Sequence, residues 1–576
     1  MKKVLSDNAL KVAQSRYFME GEDWEACCKR VANVIASPET VNKQKTQDQF
    51  FEAIYQMDFI PGGRILRNAG RARGSLFNCY HLPIGDSIEE IGQFIKDSLI
   101  LWSEGGGVGA NFSPLRPRGD SILGKGGESS GLVSFMEAAD AVAKTIESGG
   151  GRRAATLGHV DISHPEIVDF IDAKLVHGRL PRFNISVAVT HDFLECVEAN
   201  KDWQFKFKQK SYGTVKARDL WSKIVTNMVR CAEPGLLNWS NFSKNNSYYF
   251  SPVLGTNPCG ETTLSAYEAC DLGSIVLPNY ITGNINTNWK KLDTIIKLAV
   301  RFLDNVIDVN KYVLREIDIN VHKSRRIGIG VIGLAEYLFA KKIVYGSAKA
   351  VAEVETLMKR IRDSIYVASM ELAVEKGAFP QFEPVQYGKA SFIRKLPAEI
   401  RMDIKKFGVR NCTAMALAPT GTISLLADYS SAIEPLFAKA LLRKDRVSER
   451  MYIHPKYKEI LQSGEDTPEW FVDSFDLHPK DHFEMQVACQ KFCDASVSKT
   501  INLPSDTTEE DLSSLLLEYI YDLKGVTVYR DGSREGQILN KVSVEDVREY
   551  LKSQNEVSNS LQEGDVQCAS GSCEIA

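Results

Sequence analysis

The stretch that decides the reading of this chain is Gly255-Thr-Asn-Pro-Cys-Gly-Glu261, GTNPCGE, followed closely by EACDLGSIVL from Glu268 to Leu277. In an extended chain alternate residues share a face, so Asn257, Cys259 and Glu261 are expected to project to one side. Pro258 and Gly260 between them favour a constrained turn and add no bulky side chain. The pattern presents a thiol flanked by an amide and a carboxylate to a single ligand. A carboxylate within reach of a substrate hydroxyl is a candidate general base. The competing reading is a buried cysteine in a tight turn, because free cysteine is among the most buried residue types.

Outward from this stretch, Leu10 to about Asp58 reads as helical, with Trp24, Cys27, Val31 and Ile35 at three- and four-residue spacing. PGGR (Pro61 to Arg64) breaks that pattern. From Leu66 to about Ser251 short apolar runs alternate with amphipathic stretches and two Gly-rich loops, SEGGGVGANFS (Ser103 to Ser113) and SGGGRRAATLG (Ser148 to Gly158). KKLDTIIKLAVRFLDNVIDV is the clearest amphipathic helix. AMALAPTGTISLLA, from Ala414, reads as strand, glycine turn, then helix or second strand, and GVTVYR (Gly525 to Arg530) as a last strand. Strands interleaved with helices make the fold class α/β. Pattern alone leaves barrel and open sheet both standing.

Bulk properties narrow the function classes. With 576 residues, 44% hydrophobic and 25% charged, the chain is an ordinary globular one long enough for a large core. A net charge of −4 carries no basic excess that would advertise a nucleic-acid polymer. No apolar run has the length of a signal peptide or of a membrane span, so a cytoplasmic protein without membrane contact is expected. Twelve cysteines are too sparse for a secreted disulfide scaffold and lack zinc-finger spacing. Each is then a small buried hydrophobe or a chemical actor.

Two further groups bear on that question. Cys568 and Cys573 stand in CASGSC, within a polar stretch after about Ser553 that has too little apolar surface to offset its ordering entropy. Thiol–disulfide exchange needs direct contact, and a tethered dithiol supplies it at high effective concentration. APTGTIS (Ala418 to Ser424) places Pro419, Thr420, Gly421, Thr422, Ile423 and Ser424 in a turn whose N–H and hydroxyl groups suit phosphate oxygens.

NPCGE with EACDLGSIVL resembles the active-site segment of ribonucleotide reductase catalytic subunits, over roughly Leu10 to Glu535 plus the tail. The resemblance implies a ten-stranded α/β barrel of two five-stranded halves around a central finger loop, preceded by a helical N-terminal region. It implies Cys259 as thiyl radical site, Asn257 as hydrogen-bonding partner and Glu261 as base for the 3′-hydroxyl. Cys270 in EACDLG matches one reducing cysteine and Cys79 in LFNCYHLPIGDSIEEI the other. A disulfide between them requires Cα atoms within about 7 Å, which is a geometric test. By the same resemblance Cys568 and Cys573 shuttle electrons from thioredoxin or glutaredoxin. APTGTIS becomes the substrate-phosphate loop, and Gly150, Gly151, Arg152 and Arg153 belong to a loop through which a dNTP or ATP effector sets specificity.

The radical source is read from the C-terminal wording. Tyr529 is followed by Arg530, so the adjacent tyrosine pair used with a separate metal subunit is absent there, and Tyr248–Tyr249 lies elsewhere. DASVSKTINLP and KGVTVYRDGSREGQ look like the adenosylcobalamin-dependent (class II) ribonucleoside-diphosphate reductases. The alternatives are the same chemistry driven by a separate ferritin-like metal subunit, and an inactive nucleotide-binding relative. The expected organisation is a helical region over 1–60 without a regulatory ATP-binding lobe, a reductase barrel over 61–552 and a flexible redox tail over 553–576. A homodimer acting on ribonucleoside di- or triphosphates is expected.

Overall fold

The structure is a computed structural model, and it describes residues 3–554 apart from 123, 125, 149–151, 177, 284, 445–448 and 534–538. The N-terminal helical region is three helices, not one run. They are α1 (Asp7–Arg16), α2 (Trp24–Ile35) and α3 (Lys43–Tyr55). Ser6 and Asp23 cap the first two by accepting from Ala9 N–H (3.0 Å) and Ala26 N–H (2.8 Å). Trp24, Cys27, Val31 and Ile35 are all buried, as their spacing predicts. PGGR then leads into the short helix α4 (Gly63–Asn68).

Nine strands build the body. The first set is β1 (Cys79–His81), β2 (Gly107–Asn111), β3 (Thr156–Asp161), β4 (Phe183–Val189) and β5 (Gly235–Asn238). All four neighbouring pairs in this set are parallel. The second set is β6 (Glu268–Val276), β7 (Ile327–Ile332), β8 (Thr500–Leu503) and β9 (Gly525–Arg530), with β6/β7 and β8/β9 parallel. Strands covered on both faces read as continuous apolar runs, and IGIGVI in β7 is buried at every position. GVTVYR forms a strand over the span the sequence indicated, the last of this body though not of the chain.

Two antiparallel seams join the sets, β1 to β6 and β5 to β9. With Phe59–Pro61, which pairs antiparallel to β6, they make one ten-stranded mixed sheet. The regular ladders alone leave a gap between β7 and β8. Residues 413–418 lie in it: isolated parallel bridges join Ile329 to Met415 and Leu417 to Val497. Backbone bonds run from Ile329 N–H to the Ala414 carbonyl (3.0 Å) and from Leu417 N–H to the Ser496 carbonyl (3.1 Å). Pro419 and the turn at Gly421 end this segment before it becomes a ladder strand, and helix Gly421–Ala427 follows. Asp494 pins it, accepting from Ala414 and Met415 N–H at 3.0 Å each.

Helix Trp289–Val309 covers the predicted amphipathic segment and packs on β6 and β7. Sequence reasoning missed a small three-stranded sheet, Ala440–Lys444 with Glu449–Ile453 and Leu539–Lys541. Among the described residues no helix is long and apolar enough to cross a membrane.

Inside the sheet lies a hairpin, Gly255–Thr256 paired with Thr263–Leu264. It passes so close to β2 that a Cβ at Gly109 would sit 1.8 Å from the Thr256 carbonyl oxygen. We therefore expect Gly109→Ala to displace the hairpin and lower the unfolding free energy by about 1–3 kcal/mol, measured by urea titration.

Candidate active site

GTNPCGE is the tip of that hairpin, and it is a tight turn, not an extended segment. Gly260 N–H donates to the Asn257 carbonyl (3.1 Å), and Gly260 takes a φ of +75°. The alternate-residue argument for a shared face therefore does not hold. Asn257 is fully buried and lines neither of the two cavities at the tip; its Oδ1 accepts from Thr262 N–H (3.0 Å) and so staples the loop. Cys259 and Glu261 still converge, because the turn brings both onto one cavity. The tip is fixed from outside by Ser496 N–H, which donates to the Glu261 carbonyl (2.8 Å). At the root, His81 Nδ1–H donates to the Ser265 carbonyl (2.9 Å). Burial pushes His81 down to about 4 and His159 beside it to about 3, so both rings are neutral packing against Gly255.

That shared cavity lies at the tip of the hairpin. Cys79, Cys259 and Glu261 line it together with Pro419, Thr420, Thr422 and Ile423. Gly421 and Ser424 do not line it; the Ser424 hydroxyl donates back to the Gly421 carbonyl (3.0 Å). Thr420 is likewise engaged, accepting from Ala432 N–H (2.8 Å) through Oγ1.

Cys79 and Cys270 are direct cross-strand partners in the β1/β6 seam. Residues opposed in an antiparallel pair have Cα atoms about 4.5–5.5 Å apart and side chains on one face, so the geometric requirement for a disulfide is met. Both are thiols in this structure. Burial, with Asp271 adding to it, pushes the Cys270 thiol well above its ordinary range. It is held protonated at neutral pH.

Glu261 is 1% exposed, and neither carboxylate oxygen has a hydrogen-bond partner among the described residues. The Asn257 Nδ2 is in the same condition. Burial pushes Glu261 up to about 7, and Asn257 nearby offsets only part of this. A buried carboxyl with no partner is costly, and it stands on the wall of a cavity able to hold a hydroxylated ligand.

A second cavity of about 720 Å³ reaches Cys259 along with Pro258 and Gly260. Its walls come from β4, β5, β9 and residues 497–500, with Asn184, Ser186, Ser498 and Thr527 among its polar groups. Cys259 is thus common to both cavities.

Sequence reasoning missed the wall supplied by the N-terminal region. Tyr17, Gly62 and Gly63 line the first cavity, with Asn78 and Ser274. PGGR was the available signal, and it had been read only as a helix breaker. Arg152–Arg153 forms a two-residue strand paired with Glu147–Ser148. Gly150 and Gly151 lie outside the described residues, as do Cys568 and Cys573.

Comparison with known proteins agrees with this architecture. Residues 77–529 match the ribonucleotide reductase barrel domain, and residues 3–74 match the ribonucleotide reductase all-alpha domain. The chain belongs to the ribonucleotide reductases. It is the catalytic-subunit type of that family, and it is similar to two proteins named vitamin B12-dependent ribonucleoside-diphosphate reductase. The one from Thermoplasma acidophilum is 35% identical over 528 residues, 86% of this chain and 67% of the relative. The one from Mycobacterium tuberculosis H37Rv is 34% identical over 580 residues, 93% and 79%. Similarity to the ribonucleoside-diphosphate reductase subunit alpha of Chlamydia trachomatis is lower, 26% over 479 residues, 71% of this chain and 45% of the relative.

The seam makes a direct prediction. Mild oxidation with diamide should join the Cys79 and Cys270 peptides, seen by mass spectrometry, and dithiothreitol should release them. Cys79→Ser or Cys270→Ser should abolish the linked species.

Proposed function

We propose that this reductase converts ribonucleoside diphosphates to 2′-deoxyribonucleotides through a thiyl radical on Cys259, with adenosylcobalamin as radical source. One observation carries the reading. Cys259 stands between two cavities and shares the first with Glu261, Cys79 and the 418–423 turn.

The substrate occupies the first cavity with its phosphates at the Pro419, Thr420 and Thr422 turn. The Cys259 sulfur radical removes the 3′ hydrogen atom while Glu261 accepts the 3′-hydroxyl proton. Cys79 and Cys270 together give up two protons and two electrons: the 2′ C–O bond breaks, one hydrogen leaves with the 2′-hydroxyl as water, the other forms the new 2′ C–H bond, and the two sulfurs become a disulfide. Cys259 then returns its hydrogen atom to the 3′ carbon while Glu261 returns its proton to the 3′ oxygen. Asn257 holds the loop in register. The protonated state of Cys270 and the raised pKa of Glu261 suit these donor and acceptor roles.

The second cavity lies beside Cys259, and Asn184, Ser186, Ser498 and Thr527 in its wall offer hydroxyl and amide partners of the kind a ribose and base use. Those residues would hold the adenosyl end of adenosylcobalamin, whose chemistry would be to supply an organic radical within reach of the Cys259 thiol. The names of the two similar vitamin B12-dependent reductases support this choice.

In the same reading the functional units are 1–60, 61–552 and 553–576. Cys568 and Cys573 reduce the Cys79–Cys270 disulfide and are recharged by thioredoxin or glutaredoxin. Arg152 and Arg153, with Gly150 and Gly151, belong to the effector loop of a cytoplasmic homodimer.

The deciding assay is reduction of CDP by the purified chain with dithiothreitol, with and without adenosylcobalamin. Turnover is expected only with the cofactor and is expected to vanish in Cys259→Ser. Turnover restored instead by a metal-loaded second subunit would keep the reductase and discard the cobalamin. Glu261 accepts a proton only when ionised, so kcat/KM should climb with pH to a plateau above about 7. Glu261→Gln should lose that limb and run about 10²–10⁴-fold slower.

A further inference from the structure

The turn at 418–424 is held by a second loop. Thr420 N–H donates to Ser431 Oγ (3.2 Å), and Thr420 Oγ1 also lies 3.2 Å from that hydroxyl. With the Ala432 N–H bond to Thr420 Oγ1 and a Tyr429 N–H bond to the Ser424 carbonyl (3.1 Å), residues 429–432 brace the turn and its helix. Two residues of this brace, Asp428 (φ 59°) and Ala432 (φ 45°), sit in the left-handed region. Non-glycine residues stay there only when their surroundings determine it.

What determines it comes from another element. Glu336, in helix Leu334–Ala340 just after β7, accepts from Ser430 N–H with both oxygens (3.0 and 3.1 Å) and from Ser430 Oγ (2.6 Å). The remaining ties on this side are backbone bonds, Gly333 N–H to the Ser430 carbonyl (3.0 Å) and Leu334 N–H to the Ala432 carbonyl (3.3 Å). The carboxylate makes charge-assisted bonds, stronger than the neutral ones beside it. Glu336 itself does not line the cavity.

We propose that Glu336 is a positioning residue for phosphate recognition, acting through Ser430, Ser431 and Thr420 on the turn that receives the nucleotide's phosphates. This rests on the reading of 418–424 as the phosphate turn. Donors to phosphate oxygens work only when several N–H and O–H directions agree, and the brace sets those directions. Its loss acts on the phosphate end, away from the base and from the hydrogen-atom chemistry at Cys259.

The test uses the full chain with adenosylcobalamin and dithiothreitol. KM and kcat are measured with CDP, and equilibrium binding with cytidine, which lacks phosphate. Glu336→Ala is expected to raise KM for CDP about 10- to 100-fold. It should leave kcat within about twofold and cytidine binding unchanged, the pattern of lost uniform binding. Glu336→Gln, which keeps one acceptor oxygen, should fall between. Ser431→Ala, a milder change, is expected to raise KM for CDP in the same way and decides the matter if Glu336→Ala does not fold. A folded Glu336→Ala, or failing that Ser431→Ala, with unaltered KM overturns the proposal. Thr422→Ala separates the two levels. If it alone raises KM, the phosphate turn stands and the role of Glu336 falls. If it too leaves KM unmoved, the phosphate reading falls and takes the proposal with it.

Discussion

The antiparallel seam between β1 and β6 is the joint on which this structure depends. Each set of strands is parallel within itself, and something must join the two sets at their first strands. The seam does so, and its register sets Cys79 opposite Cys270. A shift of one residue would turn one sulfur to the other face of the sheet. The same strand β6 then carries β7 on its ladder, and β7 leads to Glu336. Seam register, cysteine pairing and the brace under the 418–424 turn are therefore linked through one strand.

The hairpin inside the sheet imposes a second constraint. A loop threaded there must be narrow, and its polar atoms leave water. The structure answers with close backbone approach at Gly109, with an internal amide staple from Asn257, and with one bond from Ser496 to the loop's own carbonyl. Among the side-chain groups left unsatisfied, with the Asn257 Nδ2, is the Glu261 carboxyl. Desolvation alone accounts for its direction of shift, because no neighbouring anion is among the causes. The raised pKa of this group thus follows from how the loop is packed.

The extent to which sequence announced all this varies with the physical signal. Apolar runs with the right period placed α2, the helix 289–309 and β9, since burial on one or both faces writes itself into spacing. Family resemblance identified Cys79 and Cys270, but their juxtaposition is a property of register, to which local pattern is blind. The extended reading of 255–261 failed because alternation says nothing about a turn whose conformation is set by Gly260 and by contacts from residues 109 and 496. Residues 413–418 were read as strand, and they do bridge two strands, yet Pro419 denies them a regular ladder. Tyr17, Gly62 and Gly63 went unseen as cavity residues, because nothing local distinguishes a glycine that ends a helix from one that also faces a ligand.

That last feature bears on modularity. The two family matches meet between residues 74 and 77, and the boundary looks like a place where an all-helical accessory was joined to a catalytic body. Yet Tyr17, Gly62 and Gly63 complete a cavity otherwise built by the body, and Ser6 donates to Asp428 (2.9 Å) beside helix Gly421–Ala427. A fragment beginning after that boundary would have this cavity open on one side. In lineages that exchange or reshape this helical piece, compensating changes belong around 418–432, so the two parts should be inherited as one unit.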